Sequence, residues 1–175
     1  MRRADARKEQ DALDTAWRLH ASAQDWVGKV DAKASFAFGL EVAVITAAVA
    51  LTSQGKMFHS LDSWYEVTLF ILGMVMLGVA VVVASLVVAP RIRTRKSAAP
   101  TSSDFIYFGH LKDWSASDLK NALLTGSPLE GLSSQLVVVS KIAWRKHRLV
   151  QASVWLSMLG GAAFVACFLF ANVGK

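Results

Sequence analysis

An aromatic stretch in the middle of the chain, together with scattered lysines and arginines, has the clearest potential for ligand chemistry. The segment DFIYFGHLKDW, residues 104–114, contains Tyr107, Phe108, Gly109 and Trp114. Aromatic rings offer a surface on which a planar group stacks, and glycine lets another backbone approach closely. The cations that can bind an anionic group beside these rings are Lys33, Lys141, Arg145 and Lys146. In the plainer alternative, the aromatic residues only attach this segment to a neighbouring helix, and the lysines bind lipid headgroups.

Glu41 is a second candidate, because it interrupts an apolar run at residues 34–52. An acidic side chain in a membrane-spanning helix costs on the order of 2.5 to 3.5 kcal/mol, so it usually faces a bundle interior or a wet cavity. Seven helical residues place it about 10 Å from the inner end of the run. Ser153 and Ser157 are expected at a similar depth and within hydrogen-bonding reach. This membrane seam is either an oligomer contact or leak path, or a protonated glutamate satisfied between helices.

The remaining reactive residues give no catalytic or metal-binding pattern. Cys167 is the single cysteine, and the four histidines are scattered through the sequence. The sequence has no glycine-rich phosphate loop, HExxH or GxSxG motif. We therefore expect no enzyme activity, no metal and no cofactor.

Three apolar runs, residues 34–52, 67–89 and 149–172, point to a membrane protein. Hydrophobic residues make up 54% of the 175 residues, which is high for a soluble domain. About 20 apolar residues suffice for a helix to cross the hydrocarbon core. The sequence therefore predicts three transmembrane helices.

The distribution of lysine and arginine predicts the orientation of these spans. Seven precede the first span, ten lie in residues 90–148, and only Lys56 and Lys175 are elsewhere. By the positive-inside rule, residues 1–33 and 90–148 are cytoplasmic, whereas 53–66 and 173–175 are external. We predict a multi-pass protein of a cell inner membrane or plasma membrane. The net charge of +6 then suits the lipid surface and not nucleic acid.

Helical patterns also mark the cytoplasmic parts. Leu13, Trp17, His20, Val27 and Val30 recur at helical spacing, which predicts an amphipathic helix continuing into the first span. Further on, the cap patterns SASD and SPLE place helix starts after Ser115 and Ser127. The second start opens one long helix that continues across the bilayer. The predicted fold is all-α, with a small helical insert at residues 90–148.

Three short elements, in this order and spacing, carry a family resemblance. They are Asp31-x-Lys33-Ala34, the aromatic-Phe-Gly element ending in Phe108 and Gly109, and the pair Lys141 and Lys146. Together with the helical layout, they make the chain similar to the transmembrane effectors of Pycsar bacterial antiphage systems. Asp31 and Lys33 point in different directions on a helix, so one would pair with the basic stripe of the last helix, around Lys141 to Lys146, and the other with a phosphate of a lipid or a ligand. In the alternative, both simply occupy the end of a helix.

The resemblance implies abortive infection. A partner cyclase makes cyclic CMP or cyclic UMP, and the effector responds by impairing the membrane and killing the infected cell. The expected partners are the cyclic pyrimidine nucleotide, the lipid bilayer and further copies of the chain in an active homo-oligomer, with the cyclase acting only through its product. The alternative is a constitutive membrane scaffold or subunit, whose insert docks a protein partner through the same aromatic residues.

Overall fold

The fold consists of long helices. The computed structural model describes residues 2–53, 63–89, 111–112 and 114–173. Within these residues it contains four helices and no strand: α1 (Arg2–Ser53), α2 (Trp64–Val88), α3 (Ala116–Thr125) and α4 (Pro128–Val173). Helices α1, α2 and α4 are long and apolar enough to cross a membrane. The predicted all-α class with three spanning helices is confirmed.

The helix starts follow from local capping chemistry. The Asp118 N–H donates to Ser115 Oγ at 3.1 Å, so Ser115 caps α3 as its sequence pattern predicts. Helix α4 begins at Pro128, the favoured first helical position. Helix α2 begins at Trp64, earlier than the predicted start of the second span at residue 67, because the Ser63 N–H donates to Glu66 Oε2 at 3.4 Å. The predicted continuity of the amino-terminal helix with the first span is confirmed by α1.

The chain divides into two compact units. The first unit comprises residues 1–28 and 90–144, and the second comprises residues 29–89 and 145–175. Helices α1 and α4 each contribute residues to both units without a break. These unit limits follow packing, so the membrane limits at residues 33, 89 and 148 stay predictions.

Within the first unit, α1 is amphipathic as expected, although one residue of its apolar face differs. Buried or half-buried side chains recur at the helical spacing of Leu13, Ala16, His20 and Val27. Trp17, which the sequence pattern places on this face, is 47% exposed instead. Its ring meets the edge of the His20 ring, with centroids 5.8 Å apart. The smaller Ala16, next to Trp17, takes the buried position instead.

Within the second unit, α1 and α4 run parallel and α2 runs antiparallel to both. Lys146 contacts Asp31, and ten positions further along α1 Ser153 contacts Glu41; the sequence offsets are 115 and 112 residues. A nearly constant offset indicates helices that run in the same direction. Helix α2 reverses this order along α4, since Glu66 contacts Cys167 whereas Gly73 lies against Gly160.

Two apolar clusters hold the three helices of the second unit together. One combines Val30 and Ala34 of α1 with Val87 of α2 and Val150 of α4. The other combines Ala48, Leu77 and Phe164. Many large apolar side chains of these helices remain exposed, among them Phe36 at 75% and Val165 at 59%. Outward-facing apolar side chains of this kind suit a lipid surround.

Candidate functional site

An ion pair joins α1 to α4 within the second unit. Lys146 Nζ donates to Asp31 Oδ1 at 2.6 Å and to Oδ2 at 2.8 Å. The two side chains are 22% and 36% exposed, respectively. Val30 and Ala34 on α1 and Val150 on α4 belong to one apolar cluster, which packs the two helices together beside the ion pair. The positive charge of Lys146 is therefore already paired in this arrangement.

A hydrogen-bonded carboxyl group joins the same two helices further along. Glu41 is 2% exposed, and its Oε1 accepts from Ser153 Oγ and from Ser157 Oγ, each at 2.6 Å. Ser153 and Ser157 lie one turn apart on α4, so both hydroxyls reach the same oxygen. The expected hydrogen bonds between these three residues are present. Whether the group acts as a membrane seam stays a prediction.

Two further contacts between α2 and α4 were not predicted from the sequence. The Cys167 thiol donates to the backbone oxygen of Glu66 at 3.4 Å. Gly73 and Gly160 bring the helices close together, because a Cβ atom at Gly160 would lie 3.1 Å from the Gly73 oxygen. Close approach at small residues is a common way for membrane helices to pack. The only sequence signal for this crossing was the presence of glycine in the second and third predicted spans. Each of these two spans also has a second glycine, and a Cβ atom added there would have nothing within 4 Å, so the sequence did not indicate which glycine forms the crossing.

A comparison with models of protein families relates this chain to a known family. The model of the Pycsar effector protein domain, PycTM, matches residues 15–172. This chain belongs to the PycTM family. Comparisons with curated proteins and with solved structures gave no match.

Membership in the PycTM family, whose model describes a Pycsar effector protein domain, gives the chain a role in the Pycsar antiphage system. The family belongs to a cyclic nucleotide-linked system with a cyclase partner. Together with three apolar helices, membership indicates a membrane protein. No group of three or more potential metal ligands occurs among the residues that the structure describes.

The structure places only some of the predicted ligand-binding residues of this PycTM protein. Tyr107, Phe108 and Gly109 lie outside the described residues. Trp114 and Lys141 belong to the first unit, whereas Lys33, Arg145 and Lys146 belong to the second. Lys33, Lys141 and Arg145 are exposed. A common ligand site built from these residues therefore stays a prediction.

Trp114 has a buried polar atom on its side chain. Its side chain is half-buried, and its indole Nε1 is buried with no hydrogen-bond partner among the described residues. Its backbone N–H donates to the Leu111 oxygen at 3.1 Å, which fixes the chain just before α3. The indole ring and its N–H are both of use in binding a base, but the packing role of Trp114 in the first unit explains its burial equally well.

The ion pair gives two of the family elements a shared structural purpose. Asp31 comes from the Asp-x-Lys-Ala element, and Lys146 is the second lysine of the Lys-x-x-x-x-Lys element, 115 residues later. From the sequence alone, either Asp31 or Lys33 could be the residue that pairs with the basic stripe of the last helix. The structure shows Asp31 in that pair, while Lys33 is exposed.

Proposed function

We propose that this PycTM protein is a membrane effector that is switched by a cyclic pyrimidine nucleotide, cyclic CMP or cyclic UMP, and then impairs membrane integrity to kill the infected cell. The proposal includes an amino terminus in the cytoplasm, a carboxyl terminus outside, a location in the inner or plasma membrane, and a homo-oligomer as the active form. The partner cyclase acts through its product.

The observation that carries this proposal is the pairing of Asp31 with Lys146 on two helices that also form the membrane spans. A nucleotide phosphate forms a charge-assisted hydrogen bond with lysine, as a carboxylate does, and it therefore competes with Asp31 for the same Nζ. Losing the pair removes one of the polar contacts that fix α1 against α4 in a single register. Ligand binding at this position therefore acts directly on how two spans pack.

The predicted aromatic residues would supply the rest of the recognition. Stacking a base on an aromatic ring contributes roughly 1 to 3 kcal/mol in single-strand binders. The ligand switches the protein only if it binds the active arrangement more tightly than the resting one. Moving a mostly resting population to a mostly active one takes a difference of about 10⁴-fold, roughly 5.5 kcal/mol.

Binding and membrane potential together test the proposal. Purified protein is expected to bind cyclic CMP or cyclic UMP in preference to cyclic AMP and cyclic GMP. Cells that express the protein alone are expected to keep their membrane potential, and cells that also make the matching cyclic pyrimidine nucleotide are expected to lose it. Tyr107→Ala and Lys146→Ala should raise the nucleotide concentration required, while Lys120→Ala, a change at an exposed lysine of α3, should not.

Two results would overturn the proposal. One is depolarisation of equal extent with and without the cyclic nucleotide, which would indicate an unregulated toxin. The other is the absence of binding to both pyrimidine nucleotides, which would favour the constitutive scaffold. In that case the insert of residues 90–148 should capture a protein partner without any nucleotide.

A further inference from the structure

The two oxygens of the Glu41 carboxyl group have very different surroundings. Oε1 accepts two hydroxyl hydrogen bonds of 2.6 Å. Oε2 is buried and has no hydrogen-bond partner among the described residues. A carboxylate spreads its negative charge over both oxygens and normally uses both as acceptors. This one-sided arrangement suits a neutral carboxylic acid, in which Oε1 is the carbonyl oxygen with two lone pairs and Oε2 carries the proton.

No fixed charge in the apolar segments compensates a negative Glu41. Residues 34–52, 67–89 and 149–172 contain no lysine, arginine or histidine, and no second aspartate or glutamate. At one end of the second unit, Asp31 and Lys146 neutralise each other. At the other end, Glu66 receives the Ser63 N–H and the Cys167 thiol donates to the Glu66 backbone. An isolated carboxylate buried in such surroundings would be strongly disfavoured, whereas an unpaired hydroxyl costs much less.

Both serine hydroxyls lie on the same side of the Glu41 carboxyl group. Ser153 is fully buried and donates to Glu41 Oε1, and Ser157 donates to Glu41 Oε1 or to the Ser153 backbone oxygen at 2.9 Å. Neither serine reaches Oε2, so Oε2 is the oxygen that is left to carry a proton.

We propose that Glu41, Ser153 and Ser157 form an intramembrane proton-binding site, with the proton on Glu41 Oε2. Release of the proton leaves a carboxylate inside the bundle, which requires water or a new donor. The use of that release in membrane damage rests on the proposed function, because it needs α1 and α4 to separate. The bound proton itself is a property of the resting protein and needs no nucleotide.

Infrared spectroscopy tests the site directly. The full-length protein in phosphatidylcholine bilayers at neutral pH should show a carboxylic acid C=O band that is lost in Glu41→Gln. Glutamine keeps the size of the side chain and offers an amide oxygen to both serines. Ser153→Ala should keep the band and shift it to higher frequency, because the carbonyl oxygen loses one hydrogen bond. The Ser153→Ala measurement keeps the test valid if Glu41→Gln does not fold.

Dicyclohexylcarbodiimide provides an independent probe of the same proton. The acid proton passes to a carbodiimide nitrogen, the carboxyl oxygen bonds to the central carbon, and the adduct rearranges to a stable N-acylurea with no atom lost. Mass spectrometry should find the adduct on Glu41 and not on Glu66. An absent acid band or an absent Glu41 adduct would overturn the proton site. Since neither measurement includes a nucleotide, a negative result would contradict the proton site and would leave the proposed function untouched.

Discussion

Lys146 donates to both carboxylate oxygens of Asp31, at 2.6 and 2.8 Å, and thereby ties the fourth helix to the first. Both side chains keep some solvent contact. Partly exposed ion pairs stabilise proteins by only about 0.2 to 1 kcal/mol. The pair therefore contributes little to the free energy of folding. Its larger consequences are that it sets the register of two membrane spans and that it occupies the positive charge of Lys146.

The two partners of this pair should shift nucleotide affinity in opposite directions. Asp31→Asn frees Lys146 from its internal anion, so a phosphate no longer has to displace a carboxylate. We expect tighter cyclic nucleotide binding in Asp31→Asn and weaker binding in Lys146→Ala, measured by calorimetry on the purified protein. The free energy of unfolding of both variants should lie within about 1 kcal/mol of that of the parent.

Lys120→Ala on α3 serves as the lysine control for this pair. Its affinity for nucleotide should equal that of the parent. Weaker binding in both Asp31→Asn and Lys146→Ala would contradict competition and indicate that the intact pair itself belongs to the ligand site.

Replacing Glu41 by leucine should separate insertion from toxicity. The change removes a costly polar group from a span, so Glu41→Leu is expected to insert at least as well as the parent. It also removes the acceptor of two serine hydroxyls, of which only Ser157 has the Ser153 backbone oxygen as an alternative. If the carboxyl group is used in the active assembly, cells making the variant and the cyclic nucleotide should survive.

Val42→Leu is a matched control for Glu41→Leu, since Val42 is 40% exposed and adjacent to Glu41 on α1. It adds a similar apolar side chain without touching the serines and should keep full toxicity. Full toxicity in Glu41→Leu as well would show that the carboxyl group is not used in the active assembly.

The sequence predicted the parts of this structure that depend on local patterns. Span composition, the Ser115 cap and the start at Pro128 all follow from neighbouring residues, and the structure agrees with them. The Glu41 contacts also followed, because counting residues from the inner end of two spans gives comparable depths. Depth counting works only where helices are parallel and begin at the same surface.

The remaining contacts depend on rotation and close approach, which periodicity does not determine. Trp17 and Ala16 are adjacent, and only packing decides that the smaller one is buried. Gly73 and Gly160 meet, whereas Gly78 and Gly161 on the same two helices have nothing within 4 Å of a Cβ position. The rotation of α2 and α4 about their own axes decides which glycine of each helix lies at the crossing.

This glycine crossing gives a stability prediction. A methyl group at Gly73 would lie 2.8 Å from the Phe164 ring, and one at Gly160 would lie 3.1 Å from the Gly73 oxygen. Overpacking of this kind typically costs 1 to 3 kcal/mol. We expect Gly73→Ala and Gly160→Ala to lower the thermal unfolding temperature in detergent, while Gly78→Ala and Gly161→Ala leave it unchanged or slightly higher. Equal effects at all four glycines would indicate a general helix-propensity effect and no specific crossing.

The last prediction concerns the sides of the membrane. Helices α1 and α4 are parallel and α2 is antiparallel, so the chain should cross three times, with residues 90–148 on the side of the amino terminus. Seventeen of the nineteen lysines and arginines fall in residues 1–33 and 90–148, which predicts that this side is cytoplasmic. A reporter active only outside the cytoplasm should therefore work when fused after Lys175 and fail when inserted near Ala98. Activity at Ala98 alone would reverse the orientation. Equal activity at both positions would contradict three spans, because the third span lies between Ala98 and Lys175 and must place them on opposite sides of the membrane.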